Sequence, residues 1–276
     1  MNPRALIDLI KPKQTFLLML TFAISYVVAG GRDLLPALAV FLTISGTTAL
    51  NMWLDRDIDA LMLRTRKRPL PSGEIDPTLC AVYGFSLFSI GFVLALFLRL
   101  DFALVLFLGL LFDIIVYTVM LKKRSPYSII VGGFAGAMPA LAGWVAVNGF
   151  TLPGFLMASI VLLWIPSHIW FIAIFYEEDY RRANIPMFPV VFGAKRTAIA
   201  IAVAESILLC ILILLYLALP MHAIYLAVVP VSAYYLFRTI SFASNPSKIE
   251  ARRMYKLASI KLGFVFLAIL VARFLA

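Results

Sequence analysis

The sequence predicts an all-α, polytopic membrane protein of about nine transmembrane helices, and three observations predict it. Of 276 residues, 63% are hydrophobic and only 14% charged, with a mean hydropathy of +1.00, whereas a soluble domain is about half apolar and a quarter charged. The apolar residues run unbroken for about 20 positions at a time, the length of helix that crosses a bilayer. Basic residues gather in every second connection between those runs. A water-soluble globule is excluded, because the chain lacks the polar surface to coat itself. Disorder is excluded because 13% of the residues are aromatic, far from a solvating composition. A membrane β-barrel would alternate polar and apolar residues, which these continuous runs do not.

The runs follow in order. The first, at about 14–31, comes after Arg4, Asp8, Lys11 and Lys13. It is long enough to span rather than to act as a cleavable leader, and Gly30-Gly31 closes it. The second covers 34–53, the third 77–98, the fourth 101–121 and the fifth 127–147, which Asn148-Gly149 closes. The sixth covers 151–175 and the seventh 197–219; Pro220 separates the latter from the eighth at 221–240, and the ninth covers 257–275. Tight turns alternate with longer charged loops, so the runs form four hairpins and a last helix. Residues 1–276 are expected to form a single integral membrane domain.

The net charge of +10 would suggest nucleic acid in a soluble protein. Here it is a topology signal, and no nucleic-acid partner is expected. Twenty of the 24 basic residues fall before the first run or in the four long connections; Arg32, Arg99 and Arg273 fall on the other side, and Lys261 lies within the ninth run. The positive-inside rule then puts the N-terminus and the long loops in the cytoplasm and, with nine spans, the C-terminus outside. The two cysteines, Cys80 and Cys210, have no C-x-x-C partner and read as small apolar side chains.

Six of the 14 acids occupy two of those loops: Asp55, Asp57 and Asp59, and Glu177, Glu178 and Asp179. Asn51, Asp55 and Asp59 are four apart and stack along one helix face, with Asp57 projecting nearly opposite. Two carboxylates and an amide oxygen suit a hard divalent cation, above all Mg²⁺, which keeps waters and shares its shell with substrate phosphates. Arg64, Arg66, Lys67 and Arg68 follow at once, offering charge-assisted donors to phosphate oxygens. An acid ladder followed by a basic cluster is what a metal-bridged diphosphate needs.

Asn51-x3-Asp55-x3-Asp59 at the end of the second run resembles the first acid motif of the UbiA-type intramembrane prenyltransferases. The continuation Asp55-Arg-Asp-Ile-Asp-Ala-Leu-Met-x-Arg64-Thr-x-x-Arg68-Pro-Leu-Pro-x-Gly73 is similar to the branch that farnesylates protoheme IX. The similarity recurs at Tyr117-Thr-x-x-Leu-Lys122-Lys123-Arg-x-Pro126-Tyr127, at Gly132-Gly133 through Pro139, and at Gly143-Trp144. It returns at Pro166-Ser-His168-x-Trp170 and at Glu178-Asp179-Tyr180-x-Arg182-Ala-x-Ile-Pro186-Met-x-Pro189. It covers the second run to the start of the seventh.

The resemblance implies one helical bundle around a central cavity open to the cytoplasmic side of the plasma (inner) membrane. It implies Mg²⁺ as cofactor, farnesyl diphosphate and haem B as substrates, membrane lipid as surroundings and haem A synthase as a partner. A vinyl group of haem B would take the farnesyl group, giving haem O. Asn51, Asp55, Asp59, Arg64, Arg68, Lys122 and His168 would be catalytic, with Mg²⁺ on Asp55 and Asp59 assisted by Asn51. Tyr117, Glu178, Asp179 and Arg182 would bind substrate. The wider superfamily carries a second Asp-x3-Asp ladder; here Glu177, Glu178 and Asp179 are consecutive, so a second ion would rest on Glu178 and Asp179.

A His within a span is costly unless paired or functional, and the resemblance marks His168 as typical of the haem-directed branch. Asp113 and Glu205 are acids within apolar runs; Asp113 and Tyr117 are expected to hydrogen-bond around the cavity, and Glu205 to satisfy a helix contact. Gly132, Gly133 and Gly136 read as close helix packing, and His222 as an ordinary surface residue. Two alternatives stay open: a sibling enzyme acting on an aromatic quinone precursor or a glycerol-phosphate lipid, and a transporter. A transporter predicts ionisable residues at mid-membrane and an internal repeat; these acids concentrate at one surface.

Overall fold

The structure, a computed structural model, describes residues 3–276, which are helical with no strand among them. A short α1 (Pro3–Leu9) precedes α2 (Pro12–Val28), α3 (Leu35–Leu61), α4 (Pro77–Leu98), α5 (Leu100–Leu121), α6 (Ser128–Asn148) and α7 (Leu152–Phe175). A six-residue α8 (Glu177–Arg182) leads to α9 (Phe188–Ala218), α10 (Val228–Ser244, entered by a 3-10 turn at Ala223–Ala227) and α11 (Lys248–Phe274). Among the described residues, eight helices are long and apolar enough to cross a membrane.

The first expected span, α2, has 17 residues, fewer than the sequence suggested. Gly30, at φ +99, ends it, and the Gly31 amide closes back on the Tyr26 carbonyl at 2.9 Å. Only glycine takes that left-handed turn without strain. Two expected boundaries moved in a way that matters for the site. The second run was expected to end at 53, yet α3 continues helically to Leu61, carrying Asn51, Asp55 and Asp59 on regular helix. The ninth begins at Lys248 because Ser247 caps it, accepting from the Glu250 amide at 3.2 Å; the charged first turns hid it from hydropathy.

Helices α2, α6, α7 and α11 pack on one another, and α3–α5 and α9–α10 flank them. The α3–α4 crossing is close: a Cβ on Gly46 would stand 2.4 Å from the Phe88 backbone nitrogen. One apolar cluster fills the bundle around Phe22, Trp144 and Phe266. A second joins Ile58 of α3 and Met62, just past its end, to Trp170, Tyr180 and Met254. Within the bundle Lys261 of α11 hydrogen-bonds Glu205 of α9, both fully buried, so Glu205 satisfies a helix contact as expected. Cys80 and Cys210 are free.

Candidate functional site

The ladder is a helical face. Asn51, Asp55 and Asp59 are buried at 7%, 3% and 4% exposure, while Asp57 points away at 78% and pairs with Arg56. Each rung is met by a cation from a different segment. Lys11 Nζ donates to Asn51 Oδ1 at 2.6 Å, Lys122 Nζ to Asp55 Oδ2 at 2.5 Å, and Arg68 Nη1 to Asp59 Oδ2 at 2.6 Å. Three cations thus converge on the face that carries Asp55 and Asp59, with Asp113 nearby, so an incoming diphosphate would meet positive donors already in place.

Local structure explains how each cation arrives. Arg68 comes from the turn after α3, where Thr65 Oγ1 donates to the Asp59 carbonyl at 3.0 Å and folds the chain back over the ladder. Lys122 comes from the end of α5, whose second half, Leu111–Leu121, winds as a π-helix. There the Lys122 amide reaches back five residues to the Tyr117 carbonyl at 2.8 Å; such windings recur at functional sites. The same winding presents Thr118, whose Oγ1 takes Asn51 Nδ2 at 2.9 Å and donates to the Asp113 carbonyl at 2.7 Å. Asp113 and Tyr117 were expected to hydrogen-bond neighbours around the cavity; the bond at Asp113 is made by its backbone carbonyl, which accepts from Thr118. The Tyr117 ring lies 5.6 Å under Lys122 Nζ and packs on Gly132, where a Cβ would stand 2.6 Å from it.

Lys11 sits between α1 and α2 at φ +46, a sparsely populated conformation for a side-chain residue. Burial, and then the positive Arg68, push its ammonium down to about 8, against the opposing pull of Asp55, Asp113 and Asp59. For Lys122, burial also works against the charge, but Tyr117 and Asp55 outweigh it and hold the ammonium above the usual lysine range. Sequence reasoning missed Lys11 and Thr118 as site residues. Lys11 counted there only as a topology charge, and no local pattern marks either.

The second acid cluster divides. Asp179, buried, accepts the Leu63 and Arg64 amides at 3.2 Å each, with Arg182 Nη1 at 3.9 Å. It therefore anchors the turn that carries Arg64 and Arg68. Glu178 is exposed and pairs with Lys248 at 2.5 Å, which holds its carboxyl below the usual range. Consecutive helical residues point about 100° apart, so the two acids expected to share a second ion face different partners. Among the described residues no three His, Cys, Asp or Glu side chains gather to hold a metal. Arg64 lies exposed, its guanidinium 5.5 Å over the Tyr176 ring. His168 is not on the ladder; it sits between α7 and α11 beside Ser259 at 3.1 Å. His222 caps a 3-10 turn, accepting the Ile224 amide at 3.2 Å.

The ladder's donor set fits Mg²⁺. Asp55 Oδ1 is buried with no hydrogen-bond partner among the described residues, an arrangement that costs free energy unless something occupies it. Hard oxygen donors from one side, without an all-protein cage, are how Mg²⁺ binds when phosphates complete its shell. Below the ladder a cavity between α2, α3, α5 and α6 is lined by Gln14, Thr48, Leu106, Asp113, Gly136 and Pro139. A polar head at the ladder and an apolar tail in the bundle can therefore be held together.

Residues 15–267 match the UbiA prenyltransferase family. A protein of Archaeoglobus fulgidus named protoheme IX farnesyltransferase is 57% identical over 277 residues, covering 99% of both chains. One of that name from Korarchaeum cryptofilum is 47% identical, covering 96% of this chain and 92% of its own. Among solved structures, a digeranylgeranylglyceryl phosphate synthase superposes with a TM-score of 0.84 at 21% identity over 99% of both chains. A UbiA homologue from Archaeoglobus fulgidus bound to DMAPP and Mg²⁺ gives 0.71 at 18% identity, over 96% of this chain and 98% of that one.

Proposed function

This chain belongs to the UbiA prenyltransferase family, and from that premise we propose that it farnesylates a vinyl group of haem B to give haem O. The observation that carries prenyl transfer is the buried ladder with its unpartnered Asp55 oxygen and three converging cations. The acceptor rests on relatives of nearly full length named for protoheme IX, at up to 57% identity. The structural likeness to a glycerol-phosphate lipid enzyme, at 21% identity, supports the fold alone.

In this reading Asp55 and Asp59, with Asn51, hold Mg²⁺, which when bound neutralises the diphosphate and eases its departure. Lys11, Arg68 and Lys122 release their rungs to the incoming diphosphate and stabilise the charge that grows as the farnesyl C1–O bond breaks. Arg64 adds to that field from the rim, and Tyr117 positions Lys122. Asp179 holds the Arg64–Arg68 turn in place, and Arg182 supports Asp179; Glu178 belongs to the rim through Lys248. The allylic cation needs a site shielded from bulk water, and the cavity beneath opens between the helices for the prenyl chain. The vinyl terminal carbon bonds to C1, and water adds to the adjacent carbon and loses a proton, leaving a hydroxyethylfarnesyl group.

The chain is multi-pass, and we place its N-terminus and ladder at the cytoplasmic face of the plasma membrane, where soluble farnesyl diphosphate arrives. The C-terminus then lies outside, and haem A synthase takes the product. The test offers farnesyl diphosphate and Mg²⁺ with haem B, an aromatic quinone precursor and a glycerol-phosphate lipid side by side. Haem B alone should be prenylated; prenylation of either other acceptor instead would replace the haem assignment.

A further inference from the structure

His168 lies seven residues before Phe175, the last residue of α7, two turns or about 10 Å deeper. Its ring is fixed on several sides. Ser259 Oγ of α11 is 3.1 Å from Nδ1, Trp164 stacks at 4.6 Å between centroids, and Tyr255 meets it edge-on at 6.0 Å. Trp164 is itself tied through Nε1 to the Ala258 carbonyl at 2.8 Å. Ser259 holds the ring at Nδ1. An imidazole oriented through one nitrogen can ligate a metal through the other, because the outer bond sets tautomer and direction.

The surroundings suit a flat, amphiphilic ligand. Trp164, His168, Ile172 and Tyr176 repeat every four residues along α7, each half-buried. At the end of that strip Arg252 of α11 stands 5.4 Å from the Phe175 ring, and Arg64 stands 5.5 Å from Tyr176. Arg252 has no carboxylate partner among the described residues. It lies seven residues before Ser259, again about 10 Å of rise, comparable to the distance from a porphyrin's iron to its propionates. Arg64 belongs to the turn after the ladder, so the strip leads from His168 to the diphosphate.

We propose that His168 Nε2 ligates the iron of the haem acceptor, with Ser259 orienting the imidazole and Arg252 receiving a propionate. This rests on the haem reading given above. Two anchors, one on the iron and one at the rim, set the porphyrin's rotation and hence which vinyl edge faces the farnesyl C1.

The test titrates ferric protoheme IX into the full chain in lipid nanodiscs without farnesyl diphosphate, read by absorption and resonance Raman. The wild type should give a histidine-ligated spectrum. His168→Ala should lose it and regain it with added imidazole. Ser259→Ala should keep the ligation but bind haem about tenfold more weakly, and Arg252→Ala should bind more weakly with an unchanged spectrum. Farnesyl diphosphate binding should persist in His168→Ala, which separates loss of a ligand from loss of the fold. A wild-type spectrum and affinity in His168→Ala would overturn the ligand assignment while haem O formation by the wild type keeps the haem reading. A wild-type chain that binds no haem would overturn both.

Discussion

Lys122 Nζ lies 2.5 Å from Asp55 Oδ2, and the other oxygen of that carboxylate is buried without a partner. The pair joins the ends of α3 and α5, 67 residues apart in the chain. It holds the carboxylate pointed into the site while leaving it one open coordination position. Lys122→Met should therefore lower kcat/KM for farnesyl diphosphate by about 100-fold or more, the scale of losing one preorganised charge donor. Steady-state kinetics check this. Lys122→Arg should recover only part, since a planar guanidinium does not fit the space of a point charge.

Lys11 gives a stability signature. Its folded-state value, about 8, lies below the ordinary 10.5, so between those values the unfolded chain binds the extra proton. Stability contributed by this group therefore rises with pH from about 8 to 10.5 and is flat below. In metal-free protein the thermal midpoint of the wild type should gain on that of Lys11→Met across that window. Equal pH slopes in the two proteins would remove Lys11 from the ladder's electrostatics.

The contrast between Lys11 and Asp55 shows where sequence reading stops. Asn51, Asp55 and Asp59 were legible because helical spacing puts positions four apart on one face, and α3 realises that spacing. Arg68 was legible because it follows the ladder directly. Lys11 and Thr118 come from other segments, and a sequence pattern records neighbours along the chain, not across it. The consecutive Glu178 and Asp179 looked like one acid cluster, and only the fold shows that one turns to Lys248 and the other to the Leu63 and Arg64 amides. The π-winding of Leu111–Leu121 was equally hidden, because apolar residues satisfy α- and π-helices alike.

Lys261 and Glu205, at 2% and 0% exposure, tie α11 to α9 away from the ladder. Breaking the pair strands a charge among apolar helices, so Lys261→Met should cost ~3–5 kcal/mol. The double variant Lys261→Met with Glu205→Leu should recover most of it. Unfolding in detergent measures both, and a fully stable single variant would contradict the role.

Gly46 tests the scaffold. A Cβ there would meet the Phe88 nitrogen at 2.4 Å and the Gly84 carbonyl oxygen at 2.5 Å, both backbone atoms that cannot swing aside. Gly46→Val should destabilise by about 1–3 kcal/mol or more and tilt α3. Activity should fall more than stability alone explains, because α3 carries the rungs.

The central claim is that Asp55 holds a metal-bridged farnesyl diphosphate for transfer to haem. Mass spectrometry of the purified chain with haem B and farnesyl diphosphate, with and without Mg²⁺, tests it for the wild type and Asp55→Asn. The account predicts haem O from the wild type only when Mg²⁺ is present, and at least about 100-fold less from Asp55→Asn under the same conditions. Full haem O formation by Asp55→Asn, or by the wild type without divalent metal, would contradict it.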